Sequence, residues 1–170
     1  MQIQVDTREH AKEWERIQKQ FEHEGVSFFR SKLYVGDYMS LDNPHIVVDR
    51  KKDLLEVCGN VTAQHERFQR ELKRALAHDI HIIFLVEQSG IETIEDVYFW
   101  QNPRLLQTDI VMQNGRPVKV QKYPKATSGQ SLYRCMLTIA DRYKIEWMFC
   151  DKRHTGRKII ELLGGDESNG

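Results

Sequence analysis

The chain has 170 residues, of which 40% are hydrophobic, so it is long enough for one well-packed domain and short for two. Lys plus Arg and Asp plus Glu number 25 each, which excludes a protein that coats nucleic acid through a global basic field and leaves only a local patch for such contacts. The three cysteines have no metal-binding spacing and no apolar run approaches the length of a membrane span, so we expect a cytoplasmic protein with no membrane partner.

The first fifty residues predict a meander of strands preceded by one strand and one helix. In chain order, the predicted elements are a strand over 2–5 that ends at Asp6, a helix over 10–24 closed by Gly25, strands over 26–30 and 33–35, a turn at Gly36 and Asp37, and a strand over 38–41. Asp42-Asn43-Pro44 is turn chemistry, so we expect these strands to pair antiparallel. The last arm of the meander contains Ile46-Val47-Val48 and runs into Asp49-Arg50-Lys51.

The end of this last arm predicts a polar site. Because side chains alternate along a strand, Asp49 and Lys51 point to one face and Arg50 to the other. With Asp37 on the neighbouring arm, two carboxylates converge beside an ammonium, a set that suits Mg²⁺ or Mn²⁺ next to a phosphate. The structural alternative is an ordinary ion pair between Asp49 and Lys51 on an edge strand, with Asp37 serving only the turn.

Three segments carry a resemblance to a known family. Val5-Asp6-Thr7-Arg8-Glu9, Gly36-Asp37-Tyr38 and Val48-Asp49-Arg50-Lys51 together resemble the nuclease domain of the XPF-type structure-specific endonucleases, within the PD-(D/E)xK nucleases. The resemblance covers roughly the first ninety residues and is closest to the short stand-alone versions carried by bacteriophages. In that family the motif is usually written G-D-x(n)-E-R-K-x-x-x-D. Here Asp49 replaces the glutamate, and Asp53 follows Lys51 sooner than the final aspartate of the motif would.

The resemblance implies an activity and a role for each residue of the motif. The activity is metal-dependent hydrolysis of DNA phosphodiesters, on branched or flapped DNA, in a protein that acts as a homodimer or with a separate DNA-binding partner. The implied roles are metal binding for Asp37 and Asp49, and water positioning and charge stabilisation for Lys51. Asp6 and Glu9 add metal ligands or support for them, and Arg8 contacts a phosphate. Arg50 is an anchor behind the site or holds a neighbouring phosphate or acid. Many relatives also hold DNA with a tandem helix-hairpin-helix module, which we do not expect in this sequence.

After Lys51 the apolar spacing becomes helical. A brief helix is predicted from Leu54 to about Gly59, and Thr62 is the predicted N-cap of a longer helix that runs to about His78. Its predicted inward stripe is Phe68, Leu72, Ala75 and Leu76, with His65 on the apolar flank. Arg67, Arg70 and Arg74 lie on the opposite side. A solvated face with ion pairs such as Glu66 to Arg70 is the favoured interpretation, and a ridge that tracks DNA phosphates is the alternative.

The second half of the chain alternates strand and helix around one irregular segment. The predicted elements are a central strand over 80–86 that ends at Glu87, a short acidic helix over 91–96, an insertion over 98–128, a helix from 128, a strand over 146–150 and a helix over 155–163. Within the insertion, Asn114-Gly115 predicts a hairpin. Arg116 and Lys119, among other basic and aromatic residues, give it the composition of a nucleic-acid contact, and a surface hairpin with its own small aromatic core is an equal alternative.

These elements predict an α/β fold, with a mixed central sheet flanked by helices as in restriction endonucleases. We expect one nuclease domain over 1–165 and a flexible tail over 166–170. Two other functions stay open. One is a restriction-like nuclease without structure specificity, and the other is a catalytically inactive DNA-binding scaffold subunit.

Overall fold

The computed structural model describes residues 1–164, and the predicted tail over 166–170 lies outside the described residues. Eight strands and five α-helices follow one another along this part of the chain. They are β1 Gln2–Val5, α1 Ala11–His23, β2 Ser27–Arg30, β3 Tyr38–Ser40, β4 Asn43–Lys51, α2 Leu54–Val61, α3 His65–Ala77, β5 His81–Glu87, β6 Thr108–Gln113, β7 Arg116–Gln121, α4 Gly129–Tyr143, β8 Glu146–Cys150 and α5 Thr155–Gly164. Short 3₁₀ helices occupy Ile94–Phe99, Pro103–Leu106 and Lys152–His154. None of the helices described is both long and apolar enough to cross a lipid bilayer.

Six of the strands form one mixed sheet in the order β2-β1-β3-β4-β5-β8. The strands β1, β3 and β4 pair antiparallel, whereas β4, β5 and β8 pair parallel. Since β4 and β5 run in the same direction, the side chains that follow their apolar cores emerge at the same edge of the sheet. This sheet confirms the predicted α/β class.

Both faces of the sheet are covered by helices. One core cluster packs α2, α3 and α4 on the sheet through Leu54, Phe68, Leu72, Leu132 and Met136. The other packs α1 and α5 on the opposite face through Trp14, Ile17, Phe21, Ile159 and Leu163. Strand β5 has its five residues from Ile82 to Val86 buried, as the unbroken apolar run predicts for a strand covered on both sides.

The predicted antiparallel meander is only partly correct. Strand β2 lies at the sheet edge and pairs parallel with β1, because helix α1 crosses over between them. Residues 33–35, predicted as a strand, form no regular element. The sequence could not exclude the meander, because consecutive strands often pair with each other and both arrangements need the same apolar pattern.

Four predictions about helices are also corrected. Thr62 is not the N-cap of α3. It ends α2 instead, where its hydroxyl donates to the carbonyl of Cys58 at 2.6 Å. Leu76 is 50% exposed, and His65 is exposed at the start of α3 rather than on its apolar flank. The predicted acidic helix over 91–96 is a 3₁₀ helix that begins three residues later.

The predicted hairpin forms a separate two-stranded sheet of β6 and β7. Asn114 and Gly115 both have positive φ, 52° and 74°, as a two-residue turn between right-twisted strands requires. Every residue of β6 is exposed, and Ile110 and Met112 on this strand are 75% and 67% exposed. The hairpin is therefore on the surface, as that alternative predicts, but Phe99 is 80% exposed and Trp100 packs against the main core, so neither ring provides the predicted aromatic core.

Candidate active site

A cavity of about 1160 Å³ opens where β4 ends. Asp37, Asp49 and Lys51 line it together with the arginine face of α3. The structure thus brings Asp37, which precedes β3, to the same concave surface as Asp49 and Lys51 at the end of β4. The predicted alternation along β4 is confirmed, since Arg50 makes its side-chain contacts on the other face of the strand.

Lys51 and Asp49 form a buried pair, with Lys51 Nζ at 2.6 Å from Asp49 Oδ1 and side chains only 9% and 6% exposed, respectively. The ion pair of the structural alternative is therefore present, but its position on an edge strand is wrong, because β4 lies between β3 and β5. Burial lowers the pKa of Lys51, but the charges of Asp49 and Asp37 outweigh it and hold that pKa above the usual range. Lys51 is therefore a permanent cation within the cavity wall. Asp49 Oδ1 is buried and, apart from this ion contact, has no hydrogen bond of regular geometry with the described residues.

The backbone around Asp37 is fixed on both sides. Its N–H donates to the Val48 carbonyl at 3.0 Å, and its carbonyl accepts from the N–H of Asp6 at 2.8 Å. Gly36 precedes it with φ of 71°, and a Cβ there would lie 3.1 Å from the Val47 side chain. The Asp37 carboxylate accepts the N–H of Arg50 at 2.9 Å. Gly36, with a left-handed backbone conformation and no side chain to clash with Val47, thus sets the position of this carboxylate beside β4.

Asp37 and Asp49 fit a hard divalent cation. Burial and the negative charges of Asp49 and Glu9 raise the pKa of Asp37 well above its usual range, so the two carboxylates are close enough to disfavour each other's charge. Within residues 1–164 no three His, Cys, Asp or Glu side chains are grouped to hold one ion. Mg²⁺ is commonly held by one or two carboxylates with water in its remaining positions, so two such donors are sufficient.

Asp6 is placed differently from its predicted role as a metal ligand. It is fully buried, and both of its oxygens are occupied by the Arg8 side chain and by the N–H groups of Arg8 and Leu33, at 2.7 to 2.9 Å. Burial raises the pKa of Asp6, but the hydrogen bonds from Arg8 and Leu33 outweigh this effect and lower it. Asp6 therefore holds Arg8 and the 33–35 segment behind the site, while Arg8 itself lines the cavity.

A buried ionic network lies behind the other face of β4. The guanidinium of Arg50 donates to both oxygens of Glu9, at 2.7 and 3.1 Å, and to Glu87 at 3.3 Å. Glu87 also accepts from Arg16 at 2.5 Å and from the Thr155 hydroxyl at 2.6 Å. These contacts are what an anchor behind the site needs, but Arg50 and Glu9 also line the cavity, so their roles stay predictions. Glu87 binds α1 and α5 to the sheet and does not line the cavity.

The arginine face of α3 forms one wall of the cavity. Arg67, Arg70 and Arg74 all line it, and their nearest acidic partner is weakly placed, with Arg70 at 4.0 Å from Glu66. The Arg74 guanidinium donates to the Tyr34 carbonyl at 3.3 Å and lies 5.1 Å from the centre of the Tyr34 ring. The predicted ion pair of Glu66 and Arg70 is present on an exposed helix face, so this part of the favoured interpretation is confirmed, and the ridge that tracks DNA phosphates stays a prediction.

Besides Asp6, two predicted residues lie outside this cavity, and one residue was missed. Arg116 and Lys119 are on the exposed hairpin and do not line the cavity. Asp53 caps α2 through the N–H of Glu56 at 2.8 Å. The missed residue is Glu71, whose pKa is raised by burial and by the charge of Asp49. Its spacing of four from Arg67 and three from Arg74 places it on the same helix face, so helical periodicity was the available signal.

The raised pKa of Asp37 predicts a stability effect in the absence of metal. The folded protein binds the Asp37 proton more tightly than the unfolded chain, so this group lowers stability as pH rises above about 4 through the folded pKa. We expect Asp37→Asn to melt at a higher temperature than the parent in chelator at neutral pH, with the difference shrinking toward about pH 4. Thermal melts across this pH range measure it.

The same melts with a divalent ion provide the control. The ion should raise the Tm of the parent more than that of Asp37→Asn, because only the parent offers both carboxylates. An Asp37→Asn protein that melts no higher than the parent in chelator at neutral pH contradicts this placement of Asp37.

Three comparisons with known proteins bear on this site. The sequence matches the ERCC4 domain over residues 5–161. The fold is similar to that of XPF from Aeropyrum pernix, with a TM-score of 0.61 at 21% identity, and to XPF from Aeropyrum pernix in complex with DNA, with a TM-score of 0.60 at 22% identity. Each match covers 96% of this chain and 63% of the other, so this chain spans less than two thirds of their length. No curated protein matches the sequence.

Proposed function

This chain belongs to the ERCC4 domain family, and from that premise we propose that it is a metal-dependent endonuclease that hydrolyses DNA phosphodiesters. The observation that carries the proposal is the buried Asp49–Lys51 pair beside Asp37, at the base of a cavity with an arginine wall. A carboxylate pair, a fixed cation and a rim of phosphate-binding side chains are the parts that hydrolysis of a phosphodiester needs.

Each part of the site has a distinct role in the proposed reaction. Asp37 and Asp49 would hold Mg²⁺ or Mn²⁺, which when bound would supply an activated water and neutralise charge on the phosphate. Lys51, held as a cation by Asp49, orients the attacking water and stabilises the charge that develops on the phosphoryl oxygens. Arg8 contacts a neighbouring phosphate. This role is supported by its pairing with Asp6 at the cavity wall, where the Arg8 side chain is 57% exposed. Arg50 and Glu9 do not touch the reacting atoms and keep the strand end in place.

The proposed DNA substrate, working form and biological role rest on the resemblance to the XPF-type family. We propose branched or flapped DNA as the substrate, and a homodimer or a separate DNA-binding partner as the working form. The complex of XPF from Aeropyrum pernix with DNA supports DNA as the ligand. We also propose a role in DNA repair or recombination. On this proposal the chain is a stand-alone bacteriophage protein that acts in the cytoplasm of the host cell.

A panel of DNA substrates tests the proposal. Flap, fork, four-way junction and plain duplex DNAs of equal length are incubated with the full chain and Mn²⁺. We expect cleavage near the branch point of the flap or fork and little cleavage of the plain duplex. Equal cleavage of all four identifies a nuclease without structure specificity, and binding without any cleavage identifies an inactive scaffold.

The basic surfaces predict how DNA binding depends on salt. If the α3 arginines track phosphates, the pair Arg67→Ala and Arg70→Ala should reduce the slope of log affinity against log salt by about two, or about one per lost phosphate contact. If the hairpin contacts DNA, the pair Arg116→Ala and Lys119→Ala should reduce this slope in the same way. Affinity titrations in Ca²⁺ at several salt concentrations measure both. An unchanged slope removes the surface in question from the DNA contact.

A further inference from the structure

A second cavity of about 550 Å³ lies beside the first. Arg104, Leu55 and Gly59 line both cavities, so the two are contiguous along α2. The volume falls within the range of about 300 to 1,000 Å³ that is common for ligand sites. None of the metal-site residues lines this side cavity, and its other wall is formed by residues 122–127, which follow the hairpin.

The side cavity is basic although the whole chain carries no net charge. Arg104, Lys122 and Lys125 line it, and no acidic side chain of the described residues does. Both Arg104 and Lys122 lie 5.6 Å from the ring centre of Tyr123. Tyr123 is 39% exposed, so part of the ring is available to a ligand. A partly exposed aromatic ring beside two cations offers a surface for a base and positive charge for its phosphate.

The walls of the side cavity are fixed by hydrogen bonds rather than left as free loops. Asn102 is 2% exposed, and its amide donates to the Thr127 carbonyl at 2.8 Å while its oxygen accepts from the N–H of Arg104 at 2.9 Å. The N–H of Lys122 donates to the Gln107 carbonyl at 2.9 Å. The segments that carry Arg104 and Tyr123 are therefore joined before any ligand arrives, which lowers the cost of ordering them on binding.

We propose that the side cavity binds the unpaired strand of a branched DNA, with one base stacked on Tyr123 and its phosphates held by Arg104, Lys122 and Lys125. This proposal rests on the proposed nuclease function, because it assigns the single-stranded arm of that substrate to a place next to the cleavage site. A basic groove with one aromatic platform suits an unpaired strand, since only unstacked bases can reach a ring inside a cavity. The shared wall of Arg104, Leu55 and Gly59 allows the strand to pass directly from the catalytic cavity into the side cavity.

The test compares two DNAs, a flap duplex that carries 2-aminopurine in its single-stranded arm and the same duplex without the arm. Binding of each to the full chain is measured in Ca²⁺. Tyr123→Ala should weaken binding of the flap duplex about tenfold, the scale of one base–aromatic stack, and leave the plain duplex unchanged. The quenching of 2-aminopurine that the parent causes should be lost. Tyr123→Phe keeps the ring and should behave as the parent does.

Two further variants secure the result. Phe99→Ala removes an aromatic ring that is 80% exposed but lies outside the side cavity, and it should bind both DNAs as the parent does. If Tyr123→Ala fails to fold, the pair Lys122→Ala and Lys125→Ala should selectively weaken flap binding instead. Unchanged flap binding, or an equal loss on both DNAs, overturns the proposal. Absence of cleavage by the parent in Mn²⁺ would overturn the nuclease function separately, because the arm contact is measured without chemistry.

Discussion

Lys51→Met is expected to reduce single-turnover cleavage of a flap duplex by about a hundredfold or more, the usual scale for losing one preorganised donor. Methionine keeps the apolar stem of the side chain and removes its charge. Binding of the duplex in Ca²⁺ should stay within a few-fold of the parent, because the arginine wall is untouched. Cleavage is measured with protein in excess over the flap duplex, beside a binding titration.

Because Lys51 is buried, its loss should also lower the melting temperature of the metal-free protein. An exposed pair would be worth about 0 to 1 kcal/mol, but the side chains of Asp49 and Lys51 are less than a tenth exposed. Without Lys51 the carboxylates of Asp37 and Asp49 face each other uncompensated, so the metal-free variant should melt below the parent and a divalent ion should restore part of the loss. Lys73→Met, an exposed lysine of α3 outside the cavity, is the matched control. A Lys51→Met protein that cuts like this control contradicts the role of Lys51.

Arg50→Met is expected to lower the free energy of unfolding by about 3 to 5 kcal/mol. The substitution leaves Glu9 without its bidentate partner and Glu87 with one cation fewer, and these carboxylates are only 4% and 0% exposed. An uncompensated buried charge is the costly outcome, much more than the loss of the pair itself. For a domain whose total stability is about 5 to 15 kcal/mol, this is a large fraction.

Urea unfolding of the parent and Arg50→Met at neutral pH measures this change. Arg70→Met is the matched control, because Arg70 is 68% exposed and lies 4.0 Å from an exposed partner, so its loss should change stability by less than about 0.5 kcal/mol. If Arg50→Met unfolds as late as Arg70→Met, Arg50 is not the anchor behind the site.

Local sequence patterns were sufficient to predict the centre of the candidate site, which consists of Asp37, Asp49 and Lys51. The β-branched run before Asp49 fixes β4 as a strand, and strand alternation then separates Arg50 from Asp49 and Lys51 without any knowledge of neighbours. Gly36 with positive φ was similarly visible as a turn before Asp37. These inferences needed only residues close together in sequence, which is why the structure agrees with them.

The departures arise where a distant part of the chain decides the outcome. Asp6 follows a strand as a ligand would, but its oxygens are taken by Arg8 and by the N–H of Leu33, 27 residues away. The contact of Arg50 with Glu87 spans 37 residues, and neither end indicates the other in the sequence. Helical spacing defined the arginine face of α3, but only packing of α3 on the sheet turns that face, with Glu71, toward Asp49.

Metal-dependent cleavage by the parent and by Asp49→Asn tests the central claim most directly. Single-turnover cleavage of a flap duplex is followed at increasing Mn²⁺, with excess chelator as the zero point and circular dichroism as the check on folding. We expect no cleavage in chelator, saturation of the parent rate with Mn²⁺, and a rate for folded Asp49→Asn at least about a hundredfold lower at every Mn²⁺ concentration. Cleavage by the parent in chelator, or the same Mn²⁺ dependence and rate for Asp49→Asn, would contradict the assignment of this site.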